Sequence, residues 1–92
     1  MIDVSYSLFI SSECKKEIKK LTRKNVQLQN ILEKKIKDIL ENPTRFKPLR
    51  NELAGHYRVH VMTSFVLIFT VDLEERTVSL VHFSHHDDAY KR

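Results

Sequence analysis

Alternating polar and apolar positions predict a β-hairpin between residues 48 and 72. Residues 65–69, FVLIF, form an uninterrupted apolar run, which is typical of a buried central strand. Just before it, residues 56–61, HYRVHV, alternate polar and apolar side chains with the period of two that a half-buried strand requires. These two segments predict a pair of antiparallel strands around which the rest of the chain is arranged.

The length of the turn between these strands decides which side chains share a face. A three-residue loop at 62–64 would place Val61 opposite Phe65, whereas a two-residue loop would move Phe65 to the side of the histidines. The hydrophobic pattern favours the three-residue loop. One face, here called the core face, then carries Tyr57, Val59, Val61, Phe65, Leu67, Phe69 and Val71. The other, here called the histidine face, carries His56, Arg58, His60, Val66, Ile68 and Thr70.

The flanking segments predict one more strand on each side and two helices. Residues 2–10 alternate as a half-buried first strand, and residues 77–83 alternate as the last one. Ser11 or Ser12 is predicted to cap a first helix, and Asn25 a second helix that ends before Pro43. The second helix has one apolar stripe, formed by Leu28, Ile31, Leu32, Ile36, Ile39 and Leu40.

The predicted order is therefore β-α-α-β-β-β, with a charged loop over residues 42–54. We expect a single α+β domain spanning residues 1–92, in which two helices cover the core face of a small, mainly antiparallel sheet. Its 92 residues are enough for one adequate but thin core.

Composition narrows the class of protein further. The single cysteine, Cys14, excludes an intramolecular disulfide, and its helical spacing with Ile18 and Leu21 predicts that it packs as a small hydrophobe. No apolar run approaches the roughly 20 residues that span a membrane, and the first residues do not resemble a signal peptide. We therefore expect a cytoplasmic protein with no membrane partner.

Charge is unevenly distributed along the chain. Residues 1–50 hold 12 Lys and Arg against 6 Asp and Glu, whereas residues 51–92 hold 4 against 6 and contain all five histidines. A basic half indicates a polyanion or an acidic protein as partner, although lysines on exposed helices also serve solubility alone.

The sequence HHDD at 85–88 contains residue types that bind metals. Four consecutive side chains do not converge on one ion without an unusual loop. We therefore expect neither a metal site there nor a cofactor.

Three segments, taken in order and with their spacing, resemble the RelE/ParE superfamily of toxins from type II toxin–antitoxin modules. They are PLRNELAGHYRVHV at 48–61, FVLIFTVD at 65–72 and HHDDAY at 85–90, and the resemblance covers nearly the whole chain. It implies a RelE-like fold and an antitoxin partner, which is expected to be acidic or helical. The RelE and YoeB branches cut messenger RNA on the ribosome, whereas ParE branches inhibit DNA gyrase without catalysis.

The resemblance to the RNA-cutting branches implies a catalytic set. Arg58 and His60 match basic positions of the second strand, His85 matches the catalytic histidine of the YoeB branch, and Tyr90 matches the tail aromatic of the RelE branch. Candidate RNA contacts are Lys47, Arg50, His56 and His86. Val66 is a departure, because these enzymes usually have an arginine there.

Metal-free RNA cleavage needs a base for the 2′-hydroxyl proton, an acid for the departing oxygen and cations for the phosphate charge. We hypothesise that His60 or His85 is the base and that the other histidine or Tyr90 assists the leaving group. Arg58 would hold the phosphate. His85 and His86 are neighbours in an extended tail, so their side chains point in opposite directions and only one is expected to serve a single site.

Two alternatives remain open at this stage. The chain could be a gyrase inhibitor of the ParE kind, which needs no proton-transfer residues, or a weakened relative that binds its antitoxin without cutting RNA. Val66 favours these alternatives, whereas the group of Arg58, His60 and His85 favours the ribonuclease.

Overall fold

The computed structural model describes residues 6–48 and 55–86. Within these residues, five strands and two helices follow one another in the order β1, α1, α2, β2, β3, β4, β5, with one 3-10 turn (Pro43–Arg45) before β2. Their bounds are Ser7–Ile10 (β1), Ser12–Thr22 (α1), Val26–Glu41 (α2), Lys47–Pro48 (β2), His56–Val61 (β3), Phe65–Asp72 (β4) and Thr77–His85 (β5).

Both helices begin at the residues that the sequence predicts. The Ser11 hydroxyl accepts a hydrogen bond from the Cys14 N–H at 3.0 Å, and the Asn25 side chain accepts one from the Leu28 N–H at 3.0 Å. Each cap satisfies one of the backbone donors that a helix leaves free in its first turn. Helix α2 ends at Glu41, just before Pro43, as predicted.

The sheet has five strands in the order β1-β5-β4-β3-β2, and β1 runs parallel to β5 while the other neighbours are antiparallel. The α+β fold class is as predicted. The sequence pattern predicts a loop over residues 42–54, but Lys47 and Pro48 form β2 against β3. A strand of two residues is too short to show periodicity, which is why the pattern misses it. Ile2 and Val4 of the predicted first strand lie outside the described residues.

The predicted register of the central hairpin is confirmed. Val61 lies opposite Phe65, and Tyr57 lies opposite Phe69, so the core face and the histidine face have the membership expected from the three-residue loop. On the core face, the apolar stripes of α1 and α2 pack against the sheet. The fully buried members of this core are Cys14, Leu28, Leu32, Ile39, Val61, Leu67, Phe69, Val78, Leu80 and Phe83.

Strand β5 continues past the end of β1, and α1 lies along the edge that is left. The register between β4 and β5 shifts after Ile68, which pairs with His82 while Phe69 pairs with Leu80. Beyond this bulge, the Glu17 carboxylate on α1 accepts a hydrogen bond from the Phe83 N–H at 3.0 Å. A side chain thus satisfies a strand donor that no neighbouring strand reaches. None of the described helices combines the length and the apolar character needed to cross a membrane.

Candidate functional site

Two cations face each other on the histidine face. Lys47 of β2 is the direct partner of Arg58 of β3, so both side chains leave the sheet on the same side. Like charges in directly opposed positions destabilise a sheet. Lys47 is exposed and Arg58 is half-buried, so the pair is accessible from solvent. This point of the sheet therefore favours an anion that both cations can contact.

A pair of histidines lies beside these cations. The rings of His60 on β3 and His86, directly after β5, are stacked with their centroids 5.3 Å apart and their planes 25° apart. The His86 N–H donates to the Ser64 carbonyl at 2.6 Å, which continues the β4–β5 ladder by one residue and fixes the position of this histidine. Arg58 is two residues from His60 on the same side of β3, about 6.6 Å along the strand.

The stacked rings close over the strand between them. Strand β4 separates β3 from β5, and neighbouring strands lie about 4.8 Å apart. The two rings must therefore lean toward each other above β4. Val66, which lies opposite His60 on this face, is only 1% exposed. Although Val66 belongs to the face away from the helices, it is buried, and its strand lies between the strand of His60 and the strand that leads to His86.

The structure places His85 and His60 on opposite faces of the sheet, although both are predicted members of one catalytic set. His85 lies opposite Phe65, a core-face residue, and their rings are in edge contact with centroids 5.6 Å apart. The side chain of His85 is therefore on the side of the helices, while His60 is on the other side. Because side chains alternate along a strand, it is His86 and not His85 that lies beside His60.

His56 extends the histidine face at the other end of β3. It lies opposite Thr70, two residues from Arg58, so Arg58 stands between His56 and His60 along the strand. The His56 Nδ1 atom is buried and has no hydrogen-bond partner among the described residues. Arg50 and Tyr90, the remaining predicted site residues, lie outside the described residues.

The charge of this face is positive. Among the described strand residues on this face, Asp72 carries a carboxylate. It lies at the far end of β4, opposite Thr77. Its Oδ1 atom accepts a hydrogen bond from the Glu75 N–H within the following turn. Near Val66, the described strands thus place a lysine, an arginine and imidazoles on one face, which suits a ligand with negative charge.

Together these groups can hold a phosphate and move protons beside it. Forked guanidinium and ammonium donors bind phosphate oxygens, and an imidazole accepts or donates a proton near neutral pH. Sequence reasoning assigned His86 to RNA contact and missed its stacking on His60. Side-chain alternation along the tail indicates that only one of His85 and His86 shares the face of His60. Which of the two does so depends on the register of β5.

Comparison with known proteins agrees with this architecture. The model of the family described as the ParE toxin of type II toxin–antitoxin systems, parDE, matches residues 8–90. The chain is 39% identical over 87 residues to the RelE4 toxin homologue of Methanocaldococcus jannaschii, covering 95% of this chain and 93% of that protein.

Solved structures show the same fold. A chain in the toxin–antitoxin complex RelBE2 of Mycobacterium tuberculosis is similar with a TM-score of 0.75 and 26% identity, covering 90% of this chain and 100% of that one. A chain in the intact Escherichia coli RelBE toxin–antitoxin complex has a TM-score of 0.70 and 28% identity, covering 87% and 95% of the two chains.

Proposed function

The chain belongs to the ParE toxin family of type II toxin–antitoxin systems, and from this premise we propose that it inhibits translation by cutting messenger RNA on the ribosome. One observation carries the proposal: the stacked pair of His60 and His86 stands beside Lys47 and Arg58 on one side of the sheet. An inhibitor that acts by binding alone does not need paired imidazoles next to a phosphate-binding group.

The proposed reaction is an internal phosphoryl transfer. One imidazole takes the proton of a ribose 2′-hydroxyl, and that oxygen attacks the adjacent phosphorus. The bond from phosphorus to the 5′-oxygen of the next nucleotide breaks, and the other imidazole gives that oxygen its proton. The products are a 2′,3′-cyclic phosphate and a free 5′-hydroxyl, and no metal is required.

Lys47 and Arg58 supply positive charge in this scheme. As the 2′-oxygen attacks, negative charge builds up on the non-bridging phosphate oxygens, and fixed cations stabilise it most strongly at that stage. RNA-cutting relatives resembled by this chain usually have an arginine where Val66 stands. We propose that the Lys47–Arg58 pair takes over this task and that Val66 instead supports the imidazole pair.

An antitoxin is the partner expected for such a toxin. The two solved relatives described above were crystallised as toxin–antitoxin complexes. We propose that an acidic or helical antitoxin covers the histidine face and thereby blocks both RNA and ribosome. Action on translating ribosomes would place the protein in the cytoplasm.

The decisive experiment compares two adjacent histidines. His86→Ala and His60→Ala should each reduce cleavage about 100-fold or more, because each removes a proton-transfer group. His85→Ala is the matched control, since it changes the same residue type one position away on the opposite face, and it should keep cleavage and growth arrest. Cut sites are mapped by primer extension on messages from cells expressing each variant.

Two results would contradict this proposal. Equal loss of cleavage in the His85 and His86 variants, with both folded by circular dichroism, would contradict the proposal. It would show that the face on which a histidine lies does not decide its role in cleavage. Intact messages together with supercoiling defects would favour the gyrase inhibitor, an alternative that the ParE family match and Val66 support. Arg58→Ala should also lower cleavage while leaving the fold intact.

A further inference from the structure

A second group of charged side chains lies at the edge of the sheet, apart from the His60–His86 pair. Glu13 and Glu17 are one turn apart on α1, and His82 is on β5. One carboxylate oxygen from each glutamate and one ring nitrogen of His82 all lie within 4.8 Å of one another. We propose that these three residues bind a divalent transition-metal ion, for which Zn²⁺ is the probe.

The donor types suit such an ion better than they suit magnesium or calcium. Imidazole nitrogen is a common ligand of zinc and its first-row neighbours, whereas Mg²⁺ and Ca²⁺ take oxygen ligands. Two carboxylates and one histidine supply three protein ligands, and water can complete a tetrahedron. The side chains of His82 and Glu17 are 44% and 30% exposed, so an ion from solvent can reach them.

The backbone holds Glu17 in place for this role. Its Oε1 atom accepts the hydrogen bond from the Phe83 N–H at 3.0 Å, which orients the carboxylate as outer-shell contacts do at metal sites. The β-bulge just before His82 also helps to position a ligand, because bulges redirect the side chains that follow them. The Nδ1 atom of His82 is 3.6 Å from the same Oε1, which is too long for a hydrogen bond but compatible with two ligands of one ion.

The negative charges of Glu13 and Glu17 favour a bound cation. Glu13 and Glu17 repel each other at i, i+4 spacing on α1. Within the described residues neither glutamate forms an ion pair with a lysine or arginine, and the ring of His82 is the titratable neighbour of Glu17. A bound divalent cation would offset both carboxylates and would tie α1 to the edge of β5 beyond the end of β1.

The test uses tag-free protein and Zn²⁺ alone. Isothermal titration at pH 7 should show one saturable site per chain, and at a hundredfold excess over Kd the Tm measured by circular dichroism should rise by roughly 10–20 °C. His82→Asn, Glu13→Gln and Glu17→Gln should each abolish both effects. Glu17→Gln is the sharpest variant, because its amide oxygen can still accept from the Phe83 N–H.

The chain offers matched controls in its other histidines. His60→Gln and His86→Gln should bind Zn²⁺ as the unaltered protein does. No saturable binding would overturn the proposal and leave the cluster as a direct contact between His82 and Glu17. Binding that persists in His82→Asn but disappears in His86→Gln would overturn it as well, by moving the ion to the His60–His86 pair. Neither result bears on RNA cleavage, which is measured separately.

Discussion

At the scale of single residues, Cys14 shows how burial controls chemistry. Its side chain is 0% exposed in the core, and burial, reinforced by the charges of Glu17 and Glu13, raises the pKa of the thiol from 9.0 to about 12. A thiol that stays protonated is a poor nucleophile and a poor metal ligand. The prediction that Cys14 packs as a small hydrophobe is therefore confirmed, and the residue takes no part in the proposed metal site.

The raised pKa of Cys14 predicts a dependence of stability on pH. The fold favours the neutral thiol, so the unfolded chain loses this proton first, and stability present below pH 9 is lost as the pH rises toward 12. Between pH 7 and pH 10 the free energy of unfolding should fall by about 1.4 kcal/mol through this group. Urea unfolding at both pH values, compared with Cys14→Ala, measures it. An equal fall in the variant would contradict the prediction.

At the scale of elements, the β3–β4 turn carries backbone strain. Met62 and Thr63 have φ angles of 63° and 107°, although neither is glycine. A β-branched residue is rarely found at such an angle, and each such residue costs on the order of 1 kcal/mol or more. The turn nevertheless positions the Ser64 carbonyl that accepts from the His86 N–H. The strain is therefore next to the proposed catalytic pair.

Replacing the strained residue should stabilise the protein. Thr63→Gly should increase the free energy of unfolding by about 1 kcal/mol, because glycine adopts positive φ without a steric penalty. Gly55→Ala is the reciprocal control: Gly55 has φ of 91° with open space around it, so alanine there should cost stability through the backbone alone. Urea midpoints measure both. A gain in both variants, or a loss in both, would show that φ does not decide the effect.

At the scale of the whole molecule, the uneven charge of the sequence becomes a spatial arrangement. Lys47 comes from the basic half of the chain and Arg58 from the other half, yet β2 and β3 bring them together on the histidine face. The exposed lysines of α2, such as Lys34, belong to the layer on the opposite side of the sheet. A polyanion bound to the histidine face should therefore depend on Lys47 and not on Lys34.

Salt dependence tests this arrangement. The logarithm of the binding constant for single-stranded RNA should fall linearly with the logarithm of salt concentration, and Lys47→Ala should reduce the magnitude of the slope by about 0.7, which corresponds to one phosphate contact. Lys34→Ala removes the same charge from the other layer and should leave the slope unchanged. Fluorescence anisotropy with a labelled oligonucleotide measures both. Equal slopes in all three proteins would mean that RNA binds elsewhere.

The sequence by itself determined the features that depend on neighbouring residues. The hairpin register followed from alternation and loop length, the helix starts from Ser11 and Asn25, and the core stripe of α2 from its spacing. Periodicity and capping act over a few residues, so a single chain is enough to display them.

Only the tertiary structure decided which distant side chains meet. The order of strands and the β4–β5 register set His86 and not His85 beside His60, and β2 pairing set Lys47 opposite Arg58. The packing of α1 on the edge of β5 brought Glu17 to His82 across 65 residues of sequence. Such contacts depend on how whole elements pack against one another. The periodic pattern within one element does not indicate which other element packs against it.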